Sequence, residues 1–230
     1  MHKKSFISIH FAGGNKFSFN EFNKYLKNDF DIYHLELAGR GSRIGEDLLT
    51  DLSSIRDDLF KQIENKLNNP YILYGHSMGG LLAYLLTLLI EEKKLLLPSQ
   101  LIISGRSNPQ MKPKDIRHDL PREQFKNILK ELNGTPIQVL ENEELFEFFE
   151  PILRADFQAI ERFHFDENRK VSANLMVLFG DEEKNFTLDD AKKWEQFTTK
   201  AFSLHQFSGN HFFIFKEIEK ICELIKNESC

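Results

Sequence analysis

The segment Tyr71–Ile90, YILYGHSMGGLLAYLLTLLI, places two periodicities back to back with only a glycine-flanked turn between them. Its first part is a short apolar run of strand type. From Met78 onward it is apolar on every side and reads as a helix buried all round. That helix is too short for the ~20 residues of a membrane span. A strand that feeds such a helix demands a sheet covered on both faces. Similar strand-like runs occur at Phe6–Ile9, Ile32–Leu35, Leu101–Ser104, Leu175–Phe179 and Phe202–Gln206. Helical stripes separate them: Leu48, Leu52, Ile55, Leu59, Ile63 and Leu67 in one, Phe212, Phe215, Ile218, Cys222 and Ile225 in another. Strands alternating with helices build βαβ units, so the expected class is α/β with a mostly parallel sheet.

One stretch breaks the alternation. Residues 111–169 contain no strand pattern, only the helical pieces Glu123–Leu132 and Glu143–Phe163, with interruptions expected at Asn133–Pro136 and at Pro151. The expectation is one domain over residues 1–230 with a helical lid inserted at about 111–169. At 230 residues the chain is long enough for a sizeable core. A net charge of −5 argues against nucleic acid as partner. The two cysteines, Cys222 and Cys230, do not make a disulfide framework and fit a reducing compartment. No Cys/His spacing suggests a metal, and the start MHKKSFISIHFAGG reads as a first strand rather than a signal peptide. A soluble, cytoplasmic monomer without membrane association, metal or cofactor is expected.

Within the opening segment, Gly75-His76-Ser77-Met78-Gly79 is a G-x-S-x-G between strand and helix. A nucleophilic serine at a sharp turn needs small neighbours, because side chains there would meet the packed strand and helix. Ser77 would project its Oγ above the sheet, and the Met78 amide at the helix start would face a developing oxyanion. The competing reading is an ordinary turn with a helix-capping serine. A base is also needed. Of eight histidines, His211 alone follows a late strand, sits behind a Gly-Asn turn and opens the final helix. It gives the chain order serine, acid, histidine. His76 should pack beneath the serine, His34 and His205 lie in strands, His118 and His164 in the lid, and His2 in solvent. His10 enters the loop after the first strand.

Seven stretches then carry a resemblance: Phe11–Gly14 (FAGG), Gly39–Arg43 (GRGSR), Gly75–Gly80 (GHSMGG), Ile103–Pro109 (ISGRSNP), Asn133–Pro136 (NGTP), Pro151–Phe157 (PILRADF) and Gly209–Phe213 (GNHFF). In this order they resemble the type II thioesterases of nonribosomal peptide and polyketide synthesis, which have the α/β-hydrolase fold. The resemblance implies hydrolysis of acyl groups held on the phosphopantetheine arm of a carrier protein, with no cofactor of the enzyme's own. It places the second oxyanion donor at Ala12, with Phe11 as alternative. Departures are His10, where the family often has proline, Leu37–Arg40 (LAGR for LPGR), and Asn210 for a second glycine.

The acid should follow Leu175–Phe179, where three carboxylates stand together: Asp181, Glu182 and Glu183. The family pattern G-x-x-D, counted from Gly180, lands on Glu183; Asp181 is shorter and remains the alternative. Arg154 and Asp156 read as salt-bridged scaffolding, and Thr187 with Asp190 as a capping box. A docking surface for an acidic carrier is expected along Lys112, Lys114, Arg117, Arg122, Lys126 and Lys130, and the phenylalanines Phe125, Phe146, Phe148, Phe149 and Phe157 suggest an apolar pocket.

Overall fold

A computed structural model describes residues 3–113, 115–165 and 169–227; the readings of His2, Lys114 and Cys230 fall outside them. Six strands form one sheet: β1 (Lys4–Ile9), β2 (Phe30–His34), β3 (Tyr71–His76), β4 (Gln100–Ser104), β5 (Leu175–Gly180) and β6 (Phe202–Phe207). Their order is β2-β1-β3-β4-β5-β6, and every pairing is parallel. The chain leaves β1 toward β2 and then returns to β1's other side as β3. The crevice at the carboxyl ends of β1 and β3 is therefore a topological switch point, where open α/β sheets bind ligands.

The described helices are α1 (Phe22–Leu26), α2 (Leu52–Ile63), α3 (Met78–Glu92), α4 (Arg122–Leu132), α5 (Ile137–Glu141), α6 (Glu143–Glu161), α7 (Leu188–Lys192), α8 (Phe213–Lys216) and α9 (Ile218–Asn227). Strand alternation sorts the core into two layers. Tyr71 and Leu73 of β3 join Ile55 and Leu59 of α2 and most of α3. Ile72 and Tyr74 face Phe22 of α1 with Ile221 and Ile225 of α9. All of β3, β4 and β5 is buried, which is why these strands read as continuous apolar runs.

Between β4 and β5 lie α4, α5 and α6, which share a small core of their own made of Phe125, Leu129, Leu140, Phe146 and Leu153. Pro151 does not interrupt α6. It stands on the helix's exposed side, so the carbonyl that loses its partner faces water, while Phe146, Ile152 and Leu153 on the buried side keep the axis packed. The C-terminal stripe also differs from expectation. It breaks into α8 and α9, Phe213 and Ile214 turn inward, and Phe212 and Phe215 stack on each other with centroids 6.2 Å apart. Among the described residues no helix is long and apolar enough to cross a membrane.

His34 ends β2 inside a polar pair, with Nδ1 2.6 Å from Ser8 Oγ and Nε2 3.0 Å from Asn23 Oδ1. Burial lowers its pKa to about 4. Between that value and the free histidine's 6.5 the unfolded chain binds a proton that the folded chain refuses, so stability rises with pH across this window. Urea unfolding at pH 7.0 and about 4.5 should show a loss on acidification that His34→Gln reduces.

Candidate active site

Ser77 sits between β3 and α3 with φ 56° and ψ −117°, a strained conformation for a residue with a side chain. The turn is held by Ser77's own amide, which donates to the Ser104 carbonyl at 2.8 Å. Two glycines make it possible. A Cβ on Gly75 would stand 2.0 Å from the Gly79 carbonyl, and one on Gly79 would stand 2.1 Å from the Ile9 carbonyl. Ser77 occupies the N-cap position of α3 but its side chain makes no capping bond. Its Oγ instead lies 3.0 Å from His211 Nε2.

The other ring nitrogen of His211, Nδ1, lies 2.6 Å from Glu183 Oε2. Glu183's side chain is 1% exposed. Its second oxygen accepts from the amides of Lys184 and Asn185, each at 2.9 Å, and from Asn185 Nδ2 at 2.8 Å. Burial alone would raise the carboxyl's pKa, but the His211 bond and charge together with the Asn185 donors outweigh it and hold the value below the usual range. Asp181 points elsewhere: its Oδ1 accepts from the Gly209 amide at 2.8 Å. Glu182 is exposed, and its amide donates to the Gly209 carbonyl at 2.9 Å. The acidic run thus divides its tasks. Two residues fasten the histidine loop to the turn after β5, and the third meets the ring. Asn185, which no motif singled out, anchors that third carboxylate.

His76 is fully buried under the site, 5.1 Å from the His211 ring, with Nδ1 2.8 Å from Ser104 Oγ. Burial, and then the His211 charge, push its pKa well below 6.5, so it stays neutral beside its neighbour. A cavity of about 290 Å³ opens over Ser77 and His211. Its near wall includes Phe11 and Ala12 from the loop after β1; the inserted helices supply Leu129, Leu153 and Phe157. The cavity is less apolar than the phenylalanine count suggests. Phe125 and Phe146 turn into the core of the inserted helices and Phe148 faces solvent, while Arg106, Lys112 and Lys184 reach the wall.

Residues 5–228 match the Thioesterase domain family. The chain belongs to that family. The thioesterase is 32% identical over 225 residues to a protein of Brevibacillus parabrevis named linear gramicidin dehydrogenase LgrE, covering 96% of this chain and 86% of that one. It is 31% identical over 229 residues to the gramicidin S biosynthesis protein GrsT of Aneurinibacillus migulanus, covering 97% and 90%. Among solved structures it superposes on ClbQ from the colibactin NRPS/PKS pathway with a TM-score of 0.92 and 28% identity, over 99% of this chain and 97% of that one.

In the thioesterase the loop after β1 is tied to the inserted helices through one carboxylate. Asp156 of α6 is fully buried and accepts a two-pronged bond from Arg40, at 2.6 and 2.7 Å, and a third from the Gly13 amide at 2.7 Å. Gly13 has φ 76°, and a Cβ there would stand 2.5 Å from Leu153 Cδ2, so the loop touches α6. Arg154 instead pairs with Glu150 at 2.7 Å and donates to the His118 carbonyl at 2.6 Å. His10 is buried beside Glu36, with 3.6 Å between His10 Nε2 and Glu36 Oε1. Of the expected basic docking surface, Lys112 and Lys130 are exposed, while two members are engaged within the inserted helices. Arg122 and Lys126 both pair with Glu143, and Lys126 is buried.

Breaking the buried pair has a clear expected result. Asp156→Ala leaves Arg40 charged and alone, which should cost about 3–5 kcal/mol and lower Tm accordingly. Pairing Asp156→Leu with Arg40→Met should recover most of that loss. Turnover should stay low in the double variant, because the Gly13 amide still lacks its acceptor. Thermal melts and steady-state kinetics on the two variants separate the contributions.

Proposed function

We propose that the thioesterase is a type II editing enzyme, one that hydrolyses acyl thioesters from the phosphopantetheine arms of carrier proteins in nonribosomal peptide or polyketide synthesis. The observation that carries this reading is the line Ser77–His211–Glu183, open to a cavity of acyl-chain size. His211 Nε2 takes the Ser77 proton as Oγ attacks the thioester carbonyl, and Glu183 holds the Nδ1–H tautomer and stabilises the imidazolium. The amide of Met78, first residue of α3, and that of Ala12 stabilise the tetrahedral oxyanion. The next two amides of that loop are already engaged, Gly13 with Asp156 and Gly14 with the Phe11 carbonyl, which leaves Ala12, with Phe11 as the alternative donor. The pantetheine thiol leaves with the proton from His211, and water resolves the acyl-enzyme by the same base.

The inserted helices act as the lid over the acyl group. The names of two relatives, a gramicidin S biosynthesis protein and ClbQ of an NRPS/PKS pathway, support the assembly-line setting. The dehydrogenase in another relative's name has no counterpart in the loop after β1. That loop reads His10-Phe11-Ala12-Gly13-Gly14 and lacks the dinucleotide fingerprint G-x-G-x-x-G. The proposed reaction draws on no cofactor of the enzyme's own, because the phosphopantetheine arrives with its carrier. A reducing compartment fits Cys222, a free buried thiol.

Mass spectrometry of a panel of acyl-carrier proteins after exposure to the enzyme tests the reading. Loss of acyl mass from the pantetheine arm is expected, faster than from matched oxygen esters. Preferential cleavage of the esters would move the enzyme to the small-molecule esterases. No cleavage and no fluorophosphonate labelling would leave only a carrier-binding scaffold.

A further inference from the structure

The cavity carries a charge that the Ser77–His211–Glu183 line does not need in order to hydrolyse a plain acyl group. The protein as a whole is acidic, with a net charge of −5. Yet the cavity wall holds four cations, Arg106, Lys112, Arg117 and Lys184, against one carboxylate, Glu161. That carboxylate is already engaged by the amides of Arg117 and His118 and by His118 Nδ1 at 2.5 Å. Lys112 and Lys184 are exposed. Arg117 lies over the Phe157 ring.

Arg106 is the unusual member. Its Nε is sealed from solvent without a hydrogen-bond partner, and among the described residues its guanidinium forms no ion pair or side-chain hydrogen bond. Burial lowers its pKa to about 10, which still leaves it charged at neutral pH. An unpaired, partly desolvated guanidinium is costly, and sites that bind an anion are where such a cost is offset. Its position is fixed by the sheet. His76 pairs in register with Ser104, so Arg106 stands one strand over from Ser77 and just beyond it. The Trp194 indole donates to the Arg106 carbonyl at 2.9 Å and secures this backbone.

We propose that Arg106 reads the far end of the acyl group and that the preferred substrates are thioesters of dicarboxylic acids, whose free carboxylate pairs with the guanidinium. A planar guanidinium binds a carboxylate through two parallel hydrogen bonds, which an uncharged chain cannot supply. The phosphate of a pantetheine arm is not the anion in question. It lies a full pantetheine length from the thioester, on the solvent side, whereas Arg106 is rooted beside the nucleophile. The inference rests on the thioesterase reading above and concerns only which acyl groups that site accepts.

The test uses the whole enzyme with pantetheine thioesters of adipate and glutarate, their monomethyl esters, and hexanoate. kcat/KM is measured for wild type, Arg106→Met and Arg106→Lys, with thermal melts to confirm folding. Wild type should favour each free acid over its methyl ester by about 30-fold or more, the scale of a buried charge pair. Arg106→Met should abolish that ratio, chiefly through KM for the acids, and Arg106→Lys should retain part of it. A wild-type preference for the methyl esters, or a ratio that Arg106→Met leaves unchanged, overturns the proposal. Hydrolysis of hexanoyl-pantetheine in that case would leave the thioesterase reading standing. Failure to cleave any of the five would defeat both.

Discussion

Ser77→Ala is expected to lower kcat on an acyl-pantetheine by about 10⁶-fold, the loss seen when a serine hydrolase is deprived of its nucleophile. Alanine removes the oxygen that stands 3.0 Å from His211 Nε2 and disturbs little else. The turn is held by the Ser77 amide on the Ser104 carbonyl, which alanine keeps, and the side chain makes no helix cap to lose. The variant should therefore melt near the wild-type temperature, and labelling by a fluorophosphonate should vanish with activity. Turnover within tenfold of wild type would mean that another group attacks the carbonyl.

The second large effect concerns the acid. Glu183→Gln should lower kcat by about 10⁴-fold, while Asp181→Asn should cost little. The reason lies in the donors around Glu183. One oxygen accepts three hydrogen bonds, from the Lys184 and Asn185 amides and Asn185 Nδ2, so a glutamine must place its carbonyl oxygen there. Its NH₂ then faces His211 Nδ1 and donates to it. That fixes the tautomer with the proton on Nε2, which cannot accept the Ser77 proton. Asparagine at 181 can still present an oxygen to the Gly209 amide. Comparable large losses in both variants would show that the loop tie matters as much as the acid.

The sheet, its parallel sense and the positions of Ser77 and His211 were legible because each rests on local chemistry. Strand runs are apolar, the glycines flanking Ser77 leave no room for a Cβ, and Gly209-Asn210 marks a turn before a helix. The acid was harder. Three adjacent carboxylates look alike in sequence, and the choice is made by a turn in which the Glu183 amide donates to the Gly180 carbonyl at 3.1 Å. The cavity's polarity was not legible either. Phenylalanines in an amphipathic insertion can face the substrate or each other, and Phe125 and Phe146 face each other's helices. Arg106 stood in a matching motif, but its lack of a partner is a property of the tertiary structure alone. The helices before β2 and in the insertion were missed where they are only a turn or so long, as in α1 and α5.

The carboxylate of Asp156 belongs to α6, while two of its hydrogen bonds come from Arg40 and one from the loop that carries Ala12. α6 cannot swing outward without releasing Gly13, and with it the alignment of the neighbouring amide. Under the proposed reaction, with these helices as the lid and Ala12 as an oxyanion donor, binding and support of the transition state would be coupled through one carboxylate. An acyl group that props α6 away would then be bound yet spared.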